Sequence, residues 1–167
     1  QGTTGFLPTL LQLDKGFSPA FASAGFAGLF VVGALVKPTS GRLADRVRYL
    51  PVAAGALALG AVALVGLLAA STRLGAGAAT LLYAVGLMAF PPVMQSYLMD
   101  VFPTASMGAD LGLARTVYIG FGALGPAFIG FVAGRVDYVT AFAAIVVALL
   151  IATLVLVVEM RRTDGAE

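Results

Sequence analysis

The chain has 167 residues, of which 60% are hydrophobic and 11% charged, with a mean hydropathy of +1.00; an average soluble domain is about 45–50% apolar and about 25% charged, so a water-soluble globular domain is excluded. A net charge of +2 from 10 basic and 8 acidic residues supplies too few cations to track phosphates, which excludes nucleic acid as a partner. The lack of His and Cys removes imidazole acid/base chemistry, thiol nucleophiles, disulfides and the common zinc sites, so no cofactor or metal is expected.

In chain order, residues 1–13 are apolar but too short to span a bilayer. They read as the outer part of a helix entered part-way, with an interfacial segment as the alternative. No basic segment, short apolar core and cleavage site open the chain at Gln1, so no signal peptide is expected and the sequence reads as a piece of a longer chain. Five charge-free runs follow, at 16–36, 49–72, 74–99, 116–134 and 138–158. About 20 helical residues at ~1.5 Å rise cover the ~30 Å hydrocarbon core, so each run predicts a spanning helix, at about 17–37, 50–71, 75–98, 112–134 and 138–158. The run 141–158 lacks the apolar–polar alternation of a barrel strand. The expected fold is an all-α integral membrane bundle of five complete transmembrane helices plus one partial. It forms one unit over 14–162 with a tail at 163–167, and its surroundings are the lipid bilayer.

The charges sit in the short connections. Alternating these across the membrane puts Lys37, Arg42, Arg46, Arg48, Arg115, Arg161 and Arg162 on one side and Lys15, Arg73 and Arg135 on the other. Basic residues collect in cytoplasmic loops, so a multi-pass plasma-membrane protein with the 37–50 loop and the C-terminus in the cytoplasm is predicted.

The most specific stretch is GALVKPTSGRLADRVRYLP at 33–51. Pro38 lacks an N–H and is expected to stop the second helix, while Gly41 permits close packing or a positive φ in a tight basic loop. Asp45 can accept hydrogen bonds from Arg neighbours, and Arg42, Arg46 and Arg48 can neutralise it or bind anionic headgroups; a plain positive-inside loop is the alternative. Gly41-Arg42-Leu43-Ala44-Asp45-Arg46 resembles the G-x-x-x-D-R pattern of the major facilitator superfamily, found in the cytoplasmic loop between the second and third helices of each half. The family usually carries Gly three positions after the Asp, and this chain has Arg48. The resemblance continues through YLMDVFPTASMGADLGLAR (97–115), GFGALGPAFIGFVAGRVDYVTAF (120–142) and the closing apolar helix. It implies the C-terminal half of a secondary transporter, from late in the seventh helix through the twelfth. Such a half works with an N-terminal half missing from this chain, and the two rock about a midplane solute site. It further implies a gating loop of Gly41, Arg42, Asp45 and Arg46, whose Asp and basic neighbours make contacts present in one state; Asp100 and Arg115, at span ends on the same face, are expected as its cytoplasmic charge partners.

Pro91 and Pro92 fall inside a span and are expected to kink or locally unwind it. Arg115, Tyr118, Gly122 and Gly125 recur at i, i+3, i+7 and i+10, one helical face; with Pro126 and Gly130 they predict close helix packing, a hinge or a cavity wall. No charged residue occupies the middle of a predicted span, so Tyr83, Gln95 and Tyr118 are the polar candidates for lining a solute cavity. Tyr83, Phe90 and Tyr97 also share a stripe that reads as a packed aromatic face. No nucleophile–base pair or phosphate loop is present, so an enzyme is not expected. The reading is transport of a small solute by alternating access, with a non-transporting membrane packing or assembly module as the alternative.

Overall fold

The computed structural model describes residues 2–164, which form helices and short connections without a strand among them. Helix α1 (Gly2–Thr9) runs on as a π-helical turn, Leu10–Asp14. It is followed by α2 (Pro19–Val47), α3 (Tyr49–Ala69), α4 (Arg73–Val101), α5 (Met107–Arg135) and α6 (Tyr138–Asp164). All five long helices are long and apolar enough to cross a membrane. Where 29 residues are helical, as in α2, α4 and α5, the rod is about 44 Å long, which exceeds the ~30 Å of a hydrocarbon core.

The helix starts follow from local sequence. The Ser18 hydroxyl accepts from the Phe21 N–H at 3.3 Å with Pro19 at the first helical position of α2. Thr72 accepts from the Gly75 N–H at 3.1 Å to open α4, and Asp137 accepts from the Thr140 N–H at 2.6 Å to open α6; each pairs an amide that has no partner within its helix. Lys15 does the converse for α3, its Nζ donating to the carbonyls of Leu68 and Ala70 at the helix C-terminus, where a cation is favoured.

Several expectations are corrected. Pro38 does not stop α2, which continues through it to Val47. The Thr39 hydroxyl donates to the Leu35 and Val36 carbonyls at 3.0 and 2.9 Å beside the lost backbone bond. The 37–50 loop is therefore helix, and the turn from α2 to α3 is one residue, Arg48. Gly41 needs neither of the properties expected of it: a Cβ there would meet nothing within 4 Å, and it is not among the glycines of positive φ. Asp100 belongs to the last turn of α4, and α4 remains helical through Pro91 and Pro92 without unwinding. Helix α6 extends to Asp164, so only part of the 163–167 tail is described.

Helix α3 lies at the centre, packed on α4 and α6, while α2 packs on α4 and α1 on α5. The core joins Leu7 and Leu11 of the first segment, Leu64 and Leu67 of α3, Tyr83 and Ala84 of α4, and Phe142 of α6. Two glycine contacts set the closest approaches. A Cβ on Gly86 would lie 2.5 Å from the Ala56 carbonyl oxygen, and one on Gly2 would lie 2.7 Å from the Gly125 carbonyl carbon, so α3–α4 and α1–α5 approach as small-residue faces in membranes do. Helix α5 is otherwise peripheral, with Ile129 its one buried residue.

Candidate functional site

Because α5 leans on α1 through Gly125 while α4 packs on α2 and α3, α4 and α5 touch little. Along this gap runs a groove formed of two adjoining cavities, the first of them closed behind by Leu57 of α3 and Leu149 of α6. One, of about 380 Å³, is bordered by Tyr83, Gly86, Phe90, Pro91, Tyr118 and Gly122. The other, of about 420 Å³, is bordered by Phe90, Pro91, Gln95, Leu98, Arg115 and Tyr118. They share Phe90, Pro91 and Tyr118, so Tyr118 of α5 and the proline turn of α4 form the waist. The walls are mainly apolar with a few polar groups on facing helices, the composition of a small-molecule site. Tyr118 is 59% exposed and Gln95 is exposed, so both present hydrogen-bonding groups to the groove.

Tyr83 differs from these. It is 2% exposed and donates to the Thr3 hydroxyl at 2.6 Å, pinning α1 to α4 within the core. Buried hydroxyls demand such a partner. One turn earlier, the buried Thr80 hydroxyl has no partner among the described residues. Thr3 and Thr80 were not among the residues singled out from sequence; the usable signal is a Thr-x-x-Tyr pair within an apolar run. The Tyr83–Phe90–Tyr97 stripe divides by depth: Tyr83 is buried at the edge of the first cavity, Phe90 is half-buried and borders both cavities, and Tyr97 pairs with Tyr49 of α3, their ring centroids 6.4 Å apart.

The glycine face of α5 divides similarly. Gly122 borders the groove, Gly125 meets Gly2, and a Cβ on Gly130 would touch the Phe6 ring at 3.6 Å. Pro126 lies within α5, which continues through it to Arg135.

At the end of the bundle where α2, α3, α4 and α6 terminate, Asp45, Arg46, Arg48, Tyr49, Tyr97 and Asp100 surround a third cavity of about 440 Å³. Asp45 accepts from the Tyr49 hydroxyl at 3.5 Å, a long bond. Of the expected charge cluster, Asp45, Asp100 and Arg46 share this cavity, Arg115 borders the α4–α5 groove instead, and Arg42 is exposed and borders neither. No ion pair among the described residues joins these groups.

Arg48 is the one non-glycine residue of positive φ among those described, at φ 145° and ψ 151°, a region essentially reserved for glycine. It stands where the family pattern has Gly, so the one-residue corner keeps a glycine-like backbone under an arginine.

A family model described as Major Facilitator Superfamily matches residues 1–167. No curated protein matches the chain.

Proposed function

The chain belongs to the Major Facilitator Superfamily, and from that premise we propose that it forms the C-terminal half of a plasma-membrane secondary transporter moving a small solute by alternating access. The observation that carries the reading is the α4–α5 groove, an apolar slot with Gln95, Tyr118 and Arg115 on two facing helices. In this reading the groove faces the N-terminal half, and the solute occupies the space the two halves enclose. Gln95 and Tyr118 hydrogen-bond the solute, and Arg115 sets the electrostatics of the cytoplasmic end.

Asp45 and Asp100 then act as a latch at the cytoplasmic end. Their carboxylates gain cationic partners in the cytoplasm-closed state, in which Arg42, Arg46 and Arg115 draw together. That neither is ion-paired among the described residues supports a contact that forms in only one state. Losing it shifts the resting equilibrium toward the cytoplasm-open state and changes turnover more than affinity.

The test is uptake of a panel of radiolabelled solutes by the full-length protein in proteoliposomes, with and without a pH gradient. Gln95→Ala and Tyr118→Phe are expected to raise KM for the transported solute. Unchanged KM and rate in both variants overturns the groove as the solute path, and uptake by the 167-residue chain alone overturns its assignment as one half.

A further inference from the structure

Charge is unevenly placed along the α4–α5 groove. Arg115 borders it, and no acidic residue among those described borders either of its two cavities. The acids at this end of α4 and α5 are engaged elsewhere. Asp110, in the first turn of α5, accepts from the Ser106 hydroxyl at 2.6 Å. It stands five residues before Arg115, about 140° around the helix, and so lies off the face that Arg115 occupies. Asp100, in the last turn of α4, borders the corner cavity with Asp45. The Arg115 side chain accordingly forms no ion pair among the described residues.

The polar groups that border the second cavity share one property, which is that each can donate. Arg115 offers guanidinium N–H groups, Gln95 an amide NH2 and Tyr118 a hydroxyl. A carboxylate only accepts, so it can take all three, and its pairing with a guanidinium is among the strong hydrogen bonds. An ammonium would meet no counter-charge here. A polyhydroxyl solute would leave hydroxyls unpaired against Phe90, Pro91, Met94, Leu98 and Leu111, at the cost of burying each without a partner. A dianion would bring a second charge that the one cation does not match. From Arg115 to Gly122 the groove follows α5 for about 10 Å, with Tyr118 between them.

We propose that the solute is an amphipathic organic monoanion, its carboxylate on Arg115 with Gln95 and Tyr118 donating beside it, and its aryl or alkyl body laid along the groove against Phe90 and Pro91. The assignment rests on the α4–α5 groove being the solute path and names the class of solute which that path admits. Arg115 is then the residue that sets specificity, because it supplies the one charge on these walls. It borders the groove and not the corner cavity, so in this arrangement its guanidinium is open to a solute, whatever partners it gains in the cytoplasm-closed state.

Equilibrium binding to the purified full-length protein in detergent tests this, with three probes of nearly one shape: phenylbutyrate, phenylbutyramide and phenylbutylamine. The carboxylate is expected to bind about tenfold more tightly than the amide, and the amine more weakly than the amide. Arg115→Gln lowers carboxylate binding to the level of the amide and leaves amide binding and the melting temperature unchanged. Arg115→Lys keeps the charge without the two-pronged donor and retains part of the preference. A merely structural Arg115 would instead move all three probes together. Equal binding of carboxylate and amide overturns the proposal, as do binding of none of the probes, a preference for the amine, or a carboxylate preference that survives in a folded Arg115→Gln variant. Because binding requires no translocation, the two readings fail separately. Anion-selective binding without uptake faults transport alone, whereas uptake of an uncharged or cationic solute, with KM raised by Gln95→Ala and Tyr118→Phe, faults the solute class alone.

Discussion

Gly86 of α4 lies so close against Gly60 of α3 that a methyl carbon built on Gly86 falls 2.6 Å from the Gly60 nitrogen and 2.8 Å from its Cα. Both obstructing atoms are backbone of the central helix, so no rotamer change relieves the clash. Gly86→Ala is expected to cost at least the ~1–3 kcal/mol of ordinary overpacking, read as a lowered melting temperature in detergent. Gly120→Ala is the control: a Cβ there meets nothing within 4 Å, and the ~1 kcal/mol gain in helix propensity is expected to leave stability equal or higher.

Replacing Arg48 by Gly should stabilise the protein. The corner residue holds φ 145° and ψ 151°, a conformation that costs a non-glycine residue about 1–3 kcal/mol. Arg48→Gly is expected to raise the melting temperature, and Arg48→Val to lower it, since a β-branched side chain fits that region worst. A lower melting temperature for Arg48→Gly would show that the side chain's own interactions outweigh the backbone strain.

The Tyr83–Thr3 hydrogen bond spans 80 residues of sequence within the core. Tyr83→Phe leaves a buried Thr3 hydroxyl without its donor and is expected to cost ~1–3 kcal/mol. Thr3→Val with Tyr83→Phe should cost less than the sum of the single changes, because the double variant buries no orphaned group. A double-mutant cycle by thermal unfolding measures the coupling, and strict additivity refutes it.

Asp137 opens α6 with its carboxylate accepting from the Thr140 amide, and that bond holds its pKa below the ordinary 3.8. A carboxyl whose pKa is lowered on folding contributes stability that is complete above its unfolded value and is lost as pH falls through the folded one. Amide exchange at 139–141 is therefore expected to be protected at neutral pH and to accelerate, relative to the rest of α6, once the pH drops below the ordinary value. Asp137→Ala should show the faster exchange at all pH values.

Thr163 lies in the last turn of α6, at the same end of the bundle as Asp45 and Asp100. With no native Cys in the chain, Thr163→Cys provides a single label site. An impermeant thiol reagent is expected to react in inverted vesicles and not in intact cells, since the basic residues concentrate at this end. Labelling from outside refutes the orientation.

Much was legible without coordinates because the bilayer leaves few choices. An apolar chain must bond its own backbone in lipid, which makes helices of its long charge-free runs, and the five runs correspond to α2 through α6. The caps at Ser18, Thr72 and Asp137 were not singled out from sequence, although an N-cap needs only a short polar side chain and an amide three residues on. Helix ends were less legible. Charge marks where a span leaves the hydrocarbon and not where the helix stops, so α2 runs on through Pro38 to Val47 and Asp100 falls on α4.

What only the tertiary structure decided is which residues meet. The glycines of α5 stood out by density, yet Gly60 and Gly86 make one of the tightest contacts, and nothing in their local sequence distinguishes them from glycines that touch nothing. Tyr83, Gln95 and Tyr118 look alike as polar residues in apolar runs. Depth separates them: all three border the groove, but packing buries Tyr83 and turns its hydroxyl to Thr3, while Gln95 and Tyr118 stay exposed. Arg115 and Asp45 belong to one loop-side charge count but border different cavities, because where α5 leans on α1 sets how far its end stands from α2. Composition and periodicity act along one chain segment at a time, whereas these contacts depend on the mutual rotation and separation of helices far apart in sequence.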